Sequence, residues 1–205
     1  MKFIYGHGGF AREFLRLVKL AYPDDEIFSV DDAPFGSAIT YRRAIELRED
    51  LEASFIIGSS DAMVRKEKTA QVLKDGFSIF SVKAGTSIVG ENVALGEGAI
   101  LSDYVILTGD AQIGRSFHCN IYSYVAHDCT VGDYVTLAPR VSVNGRVTLE
   151  DHVYIGTGAT ILPGKRKKDI VIGEGAIIAA HALVTKDVPA GATVVGAPAK
   201  PLEKA

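Results

Sequence analysis

Cysteine is scarce in this 205-residue chain: Cys119 and Cys129 are too few for a disulfide framework. An excess of one charge is also missing. Twenty-two basic against 25 acidic residues leave a formal net charge of −3, which gives no global reason to expect nucleic acid or an anionic membrane as partner. No stretch approaches the roughly 18 apolar residues of a membrane span. Met1-Lys2-Phe3-Ile4-Tyr5 reaches Gly6 too soon to hold the apolar core of a signal peptide. With 47% apolar and 23% charged residues the composition is that of a soluble globular protein, and a cytoplasmic one is expected. Long helical patterns are missing from only one part. Helix-like spacing and charge runs such as Arg65-Lys66-Glu67-Lys68 stop near Lys83-Ala84-Gly85-Thr86, and Gly, Val and Ile dominate beyond. Two domains are expected, 1–84 and 85–205.

What the second region has is a period. Counting in sixes from Val89 gives Leu95, Leu101, Leu107, Ile113, Cys119, Val125, Val131, Leu137, Val143, Leu149, Ile155 and Ile161, all apolar. At an apolar frequency near one half, chance produces such a run about once in ten thousand. A second register four residues later, from Val93 to Ala159, holds Val and small residues, with Phe117 the exception. A period of six with two inward positions describes a coil of short flat strands, three sides to a turn, whose inward side chains stack coil on coil. An α-helix would repeat at 3.6 and an ordinary strand at 2. Gly90, Gly96, Gly114, Gly132 and Gly156 follow the first register and read as tight corners. The phase breaks once, at Lys165-Arg166-Lys167-Lys168-Asp169, and resumes at Ile172. This polar loop is either a solvated insertion or a basic arm for the phosphates of a nucleotide cofactor.

The first region opens with strand, glycine turn and helix. Lys2–Tyr5 runs into Gly6-His7-Gly8-Gly9-Phe10-Ala11, after which Phe10, Phe14, Leu17, Val18 and Ala21 fall at helical spacing. Such a turn exposes backbone N–H groups at a helix start, where Gly8, Gly9 and Phe10 would meet phosphate. Ile27–Val30 reads as a second strand ending at Asp31-Asp32, carboxylates placed for a ribose or base donor. Phe55-Ile56-Ile57-Gly58 reads as a third, followed by a helix over Met63–Leu73 capped by Asp61. About 80 residues hold too few strands for a full dinucleotide-binding sheet, and half of one suits a single nucleoside diphosphate.

Together, Ile4-Tyr5-Gly6-His7-Gly8-Gly9, Val30-Asp31-Asp32, Ile57-Gly58 with Arg65, Ala126-His127-Asp128-Cys129 and the tail Gly196-Ala197-Pro198-Ala199-Lys200 resemble the hexapeptide-repeat sugar-nucleotide acetyltransferases. These are of the bacillosamine, perosamine and sialic acid type. The resemblance implies an α/β N-terminal half-Rossmann domain, a left-handed parallel β-helix, a homotrimer with active sites between subunits, and acetyl-CoA as co-substrate without a metal. It implies that Gly8, Gly9, Phe10, Asp31, Asp32, Gly58 and Arg65 bind the sugar nucleotide, and that His127 and Asp128 are the catalytic pair. Gly145 would offer its N–H to the thioester oxygen. Thr136, Gly158, Ala180 and the basic residues Lys165, Arg166 and Lys167 would line the CoA groove. Phe10 stands where many relatives carry a histidine.

The residues fit that chemistry. His127 lies two positions past the inward Val125, outside both registers, and imidazole takes a proton well near neutral pH. Adjacent strand side chains point oppositely, so Asp128 pairs with His127 only at a corner. Both cysteines fall in inward registers and read as core. N-acetylation of a nucleotide-linked 4-amino-4,6-dideoxy sugar is the leading expectation, with O-acetylation of a sugar or sialic acid hydroxyl the alternative. A zinc-dependent carbonic anhydrase needs a histidine triad that the spacing of His118, His127, His152 and His181 does not supply. A non-catalytic scaffold is the remaining reading.

Overall fold

The computed structural model describes residues 1–48 and 52–202. The chain splits into two compact units, Met1–Lys83 and Ala84 onward.

In the first unit, β1 (Lys2–Tyr5), α1 (Gly9–Ala21), β2 (Ile27–Val30), α2 (Tyr41–Leu47), β3 (Ser54–Ile57), α3 (Ala62–Lys74) and β4 (Ser78–Ile79) follow in order. Among the described residues the strands form one parallel sheet, β2-β1-β3-β4. Its centre is aromatic: Phe3 stacks on Phe55 at 4.8 Å, and Phe77 meets Phe55 edge-on at 4.8 Å. Helix α1 buries Ala11, Phe14, Leu17 and Val18. Ala21, expected on that face, is exposed at the helix end. Asp61 caps α3, its Oδ1 accepting from Met63 N at 2.8 Å and Val64 N at 3.1 Å. Helix α2 had no sequence expectation. It is short and begins at Thr40, whose side chain accepts from Arg43 N.

The second unit is a coil with three faces of parallel strands, closed on the third by the antiparallel pair Thr193–Val195 and Lys200–Pro201. Ile106–Gly109, Tyr124–Val125, Ser142–Val143 and Thr160–Ile161 lie on the first face. Gln112–Ile113, Thr130–Val131 and Val147–Leu149 lie on the second. His118–Cys119, Thr136–Leu137 and Tyr154–Ile155 lie on the third. Both registers point inward from Ala99 to Val184 and are buried there. Phe117 is fully inside. Ser123, the polar member, donates to Ala138 O at 2.8 Å and accepts from Val141 N at 3.1 Å, so its burial leaves no bond unmade. The pattern fails at the start of the coil. Val89 is only partly buried and Leu95 is 36% exposed, because an end coil has no predecessor stacked on it.

The corners differ from expectation. The glycines after the first register do not turn the chain. The residues three past that register do: Tyr104, Asp110, Ser116, Tyr122, Asp128, Tyr134, Arg140, Arg146 and His152 all have φ between 47° and 62°. Each costs roughly 1–2 kcal/mol at a non-glycine residue. Stacking between successive corners offsets part of this, as with Tyr104 on Tyr122 at 5.0 Å and Tyr134 on His152 at 5.4 Å. The glycines are needed for close stacking instead. A Cβ on Gly96 would sit 2.5 Å from the Gly114 backbone, and one on Gly114 2.6 Å from that of Gly132. The break in phase is a true insertion: Leu149 pairs with Ile172 and Val147 with Ile170, and the extra residues form the basic loop between Ile161 and Ile170.

Candidate active site

In the first unit the carboxyl ends of β1, β2 and β3 surround a cavity of about 460 Å³. Of the expected residues, Gly8, Gly9, Phe10, Asp31, Asp32 and Gly58 line it. Gly6, at φ +111°, turns the chain out of β1. Gly58 also has a packing role, since a Cβ there would lie 2.8 Å from Phe14 Cζ and 2.9 Å from Ala11 Cβ. Asp31 holds the rim: Oδ2 accepts from His7 N and Oδ1 from Ala33 N, each at 3.1 Å. Arg65 corrects its expectation as a ligand contact. It is fully buried, and its Nη1 donates to the carbonyls of Ser59 (2.9 Å) and Ser60 (3.1 Å), so it shapes the lining from behind.

Two cavity residues had no sequence expectation. Lys68 Nζ lies 2.9 Å from Asp32 Oδ2 and 5.0 Å from the Tyr5 ring centroid, and Tyr5 Oη donates to Asp32 Oδ1. Burial, and then the bond to Asp32, push the Tyr5 hydroxyl up to about 12. The bonds from Tyr5 and then Lys68 hold the Asp32 carboxyl below its ordinary range. Burial alone would lower Lys68, but its bonds to Asp32 and Tyr5 outweigh burial and raise it. The cluster therefore stays a charged pair with a neutral phenol at neutral pH.

In the second unit His127 and Asp128 occupy the corner between the first and second faces. Asp128 turns at φ +56°, and this brings its Oδ2 within 2.9 Å of His127 Nδ1. The imidazole is 65% exposed. With Nδ1–H donating to the carboxylate, Nε2 carries the free lone pair. The His127 bond, followed by the charge of Arg146, holds the Asp128 carboxyl below its ordinary range. Gly145 lies one coil on at the same corner, and a Cβ there would sit 2.8 Å from His127 Cε1 and 2.9 Å from Nε2. Only glycine lets the imidazole lie across that backbone.

The basic loop is at this corner as well. Gly164 N donates to Gly145 O at 3.0 Å, and the backbones of Lys165 and Lys168 exchange bonds of 2.8 and 2.9 Å, leaving Arg166 and Lys167 as an exposed tip. A cavity of about 400 Å³ opens between Lys165, Lys168, Thr185 and Lys186. Gly158 and Ala180 sit instead at the corner between the third and first faces. Thr136 lies on the third face, only 3% exposed. The structure thus brings His127, Asp128, Gly145 and the loop together, and leaves Thr136, Gly158 and Ala180 elsewhere on the same chain.

The cysteines are core. Burial raises both thiols above their ordinary range, and Cys129 Sγ donates to Asn144 O at 3.2 Å. Among the described residues no group of three or more His, Cys, Asp or Glu is placed to hold a metal ion.

No family model matches the chain. A GDP-perosamine N-acetyltransferase of Escherichia coli O157:H7 is 36% identical over 211 residues, 98% of this chain and 96% of that protein. The solved structure of WeeI from Acinetobacter baumannii AYE is 39% identical, covers 98% of this chain and 99% of its own, and superposes with a TM-score of 0.95. PerB from Caulobacter crescentus, solved with CoA and GDP-perosamine, is 26% identical over 98% of this chain and 97% of its own, with a TM-score of 0.89. The coil shares the left hand of these neighbours. With its half-Rossmann start, left-handed hexapeptide coil and full-length likeness to these proteins, the chain belongs to the hexapeptide-repeat sugar N-acetyltransferases.

Proposed function

We propose that this protein transfers the acetyl group of acetyl-CoA to the amine of a nucleotide-linked 4-amino-4,6-dideoxy sugar, with GDP-perosamine the leading acceptor. The observation that carries the reading is the His127–Asp128 pair, its Nε2 beside Gly145, in a chain alike from end to end to a GDP-perosamine N-acetyltransferase.

In this reading the amine nitrogen bonds to the acetyl carbon as the C–S bond breaks. His127 Nε2 takes the amine proton, and Asp128 steadies the imidazolium. The leaving thiolate recovers that proton. The Gly145 N–H stabilises the oxyanion that develops on the carbonyl. Lys165, Arg166 and Lys167 suit the phosphates of CoA. The 1–84 region holds the sugar nucleotide, with the α1 N-terminus at Gly8 and Gly9 for the diphosphate and Asp31 and Asp32 for ribose or base.

The chain works as a homotrimer with sites between subunits. One argument is internal: Gly158, Ala180 and Thr136 occupy a different corner and face from His127, so a groove lined by both sets needs a second copy. Another is the exposed apolar surface of Ile88, Tyr104, Ile106, Ile121 and Tyr122 at the first face and its edge. The cytoplasm is the proposed compartment; among the described residues no helix is long and apolar enough to cross a membrane.

The test is acetyl-CoA turnover with GDP-perosamine and with the same sugar nucleotide carrying a hydroxyl at C4. Turnover of the amine alone is expected, and transfer only to the hydroxyl would overturn the assignment. Thermal shifts with GDP, UDP and dTDP read the base: a true ligand at 100 times its Kd adds about 2.7 kcal/mol.

A further inference from the structure

The coil corner that carries the catalytic pair continues one turn further, to Arg146. Arg146 stands eighteen positions after Asp128, at the same left-handed corner (φ +60° against +56°). Its Nη2 lies 3.6 Å from Asp128 Oδ2, the same oxygen that takes His127 Nδ1 at 2.9 Å. Its backbone is fixed on both sides. Arg146 N donates to His127 O, and Arg146 O accepts from Ile170 N, both at 3.2 Å. On the far side Gly164 leaves no room, since a Cβ there would sit 3.0 Å from Arg146 Cβ. The cation is thus strung between the turn that carries the imidazole and the basic loop. Coil-to-coil side-chain contact is a repeated device at this corner, as Asn92 Nδ2 donates to Asp110 Oδ1 at 3.0 Å two coils earlier.

We infer that Arg146 is a positioning residue for acetyl transfer. It holds the Asp128 oxygen that orients His127, anchoring that carboxylate from one coil on while the imidazole takes it from the adjacent residue. The physics is direct. A lone carboxylate beside an imidazole favours the protonated ring and raises its pKa, and a cation on the same oxygen opposes this. Arg146 and Asp128 are 39% and 44% exposed, so solvent screens the effect and a modest size is expected. The other groups around the imidazole do not supply the same control. Asp110 is bonded to Asn92, Cys129 donates to Asn144 O and stays neutral, and Lys168 is paired with Asp187 at 2.8 Å. Tyr124 precedes the corner on its strand, and Asp169, Lys165, Arg166 and Lys167 belong to the loop beyond Arg146.

The inference rests on His127 being the base, and the test separates the two. NMR titration of the five histidines, with His127 assigned through His127→Gln, reads the imidazole pKa without turnover. In Arg146→Gln the His127 titration is expected to differ from wild type, with the wild-type behaviour largely restored in Arg146→Lys. The acid limb of kcat/KM for the sugar nucleotide should move by the same amount, with the KM for acetyl-CoA held within about twofold. An unchanged imidazole pKa overturns the inference. So does a raised KM for acetyl-CoA with an unmoved pH profile, which would make Arg146 a phosphate contact. Full activity in His127→Ala would instead sink the assignment of the base and leave the titration result standing.

Discussion

Asp128 and Asp32 are both carboxylates held by two partners, yet they are placed by different means. Asp128 takes His127 from the next position and Arg146 from one coil on, so its surroundings follow from a period of six and a turn of eighteen. Asp32 takes Tyr5 from β1 and Lys68 from α3, elements joined only by the packing of sheet and helix. The coil repeats one backbone geometry, so a residue's phase states which way it faces. The sheet unit has no such rule, and each cavity residue depends on where three separate segments meet.

Substitutions at the two sites test that contrast. The largest effect is expected at His127: His127→Ala should lower kcat/KM by about 10²–10⁴, with an unchanged melting temperature because the imidazole is mostly exposed. A variant that melts early would mean the corner holds the coil as well as the chemistry. Next comes Gly145→Ala, whose methyl falls 2.8 Å from His127 Cε1. Swinging the ring aside should cost about 10² in kcat while calorimetric binding of the sugar nucleotide is retained.

In the sheet unit the order reverses, with stability ahead of catalysis. Arg65→Ala removes a fully buried donor from the Ser59 and Ser60 carbonyls and should cost about 2 kcal/mol in urea unfolding. A silent substitution would show that water replaces the guanidinium. Lys68→Ala should raise the KM for the sugar nucleotide about tenfold, roughly the value of one charge-assisted contact, with kcat nearly constant. An unchanged KM would confine Lys68 to holding Asp32.

The smallest effect belongs to Asp187, whose carboxyl is kept low by the Lys168 bond and then by Val171 N. This folded-state pKa lies below the unfolded value of about 3.9. The stabilisation is therefore present above about pH 4 and is lost as pH falls through the folded value. Both side chains are exposed, so Asp187→Asn should cost less than about 1 kcal/mol at pH 7. The two proteins should converge in stability once the pH has fallen below the folded value.

Much of the coil site was legible for this reason. The phase of Val125 turned His127 outward, and the inward phases of Cys119 and Cys129 removed both thiols from the chemistry. The same count of eighteen would have found Arg146 from Asp128. Lys68 was less accessible. It lies seven residues past the Asp61 cap, and only the docking of α3 on β3 turns it toward Asp32. Arg65, three residues earlier on the same helix, is a ligand contact only by the resemblance, and sequence spacing does not say which side of a helix meets the cavity and which is sealed behind it.

By itself the sequence determined the architecture: a glycine turn between strand and helix, then a six-residue period that admits little but a three-sided coil. It also determined which residues of that coil point inward, since inward positions must be small or apolar to stack. Only the tertiary structure decided how the corners are made. The left-handed φ falls mostly on Tyr, Asp, Ser, Arg and His side chains, with Gly98 and Gly158 at two of the corners, while Gly96, Gly114 and Gly132 stand where one backbone presses on the next. The structure also decided that Asp128 reaches His127. Neighbours in sequence meet only when the chain turns between them, and that turn is held by the coils stacked on either side.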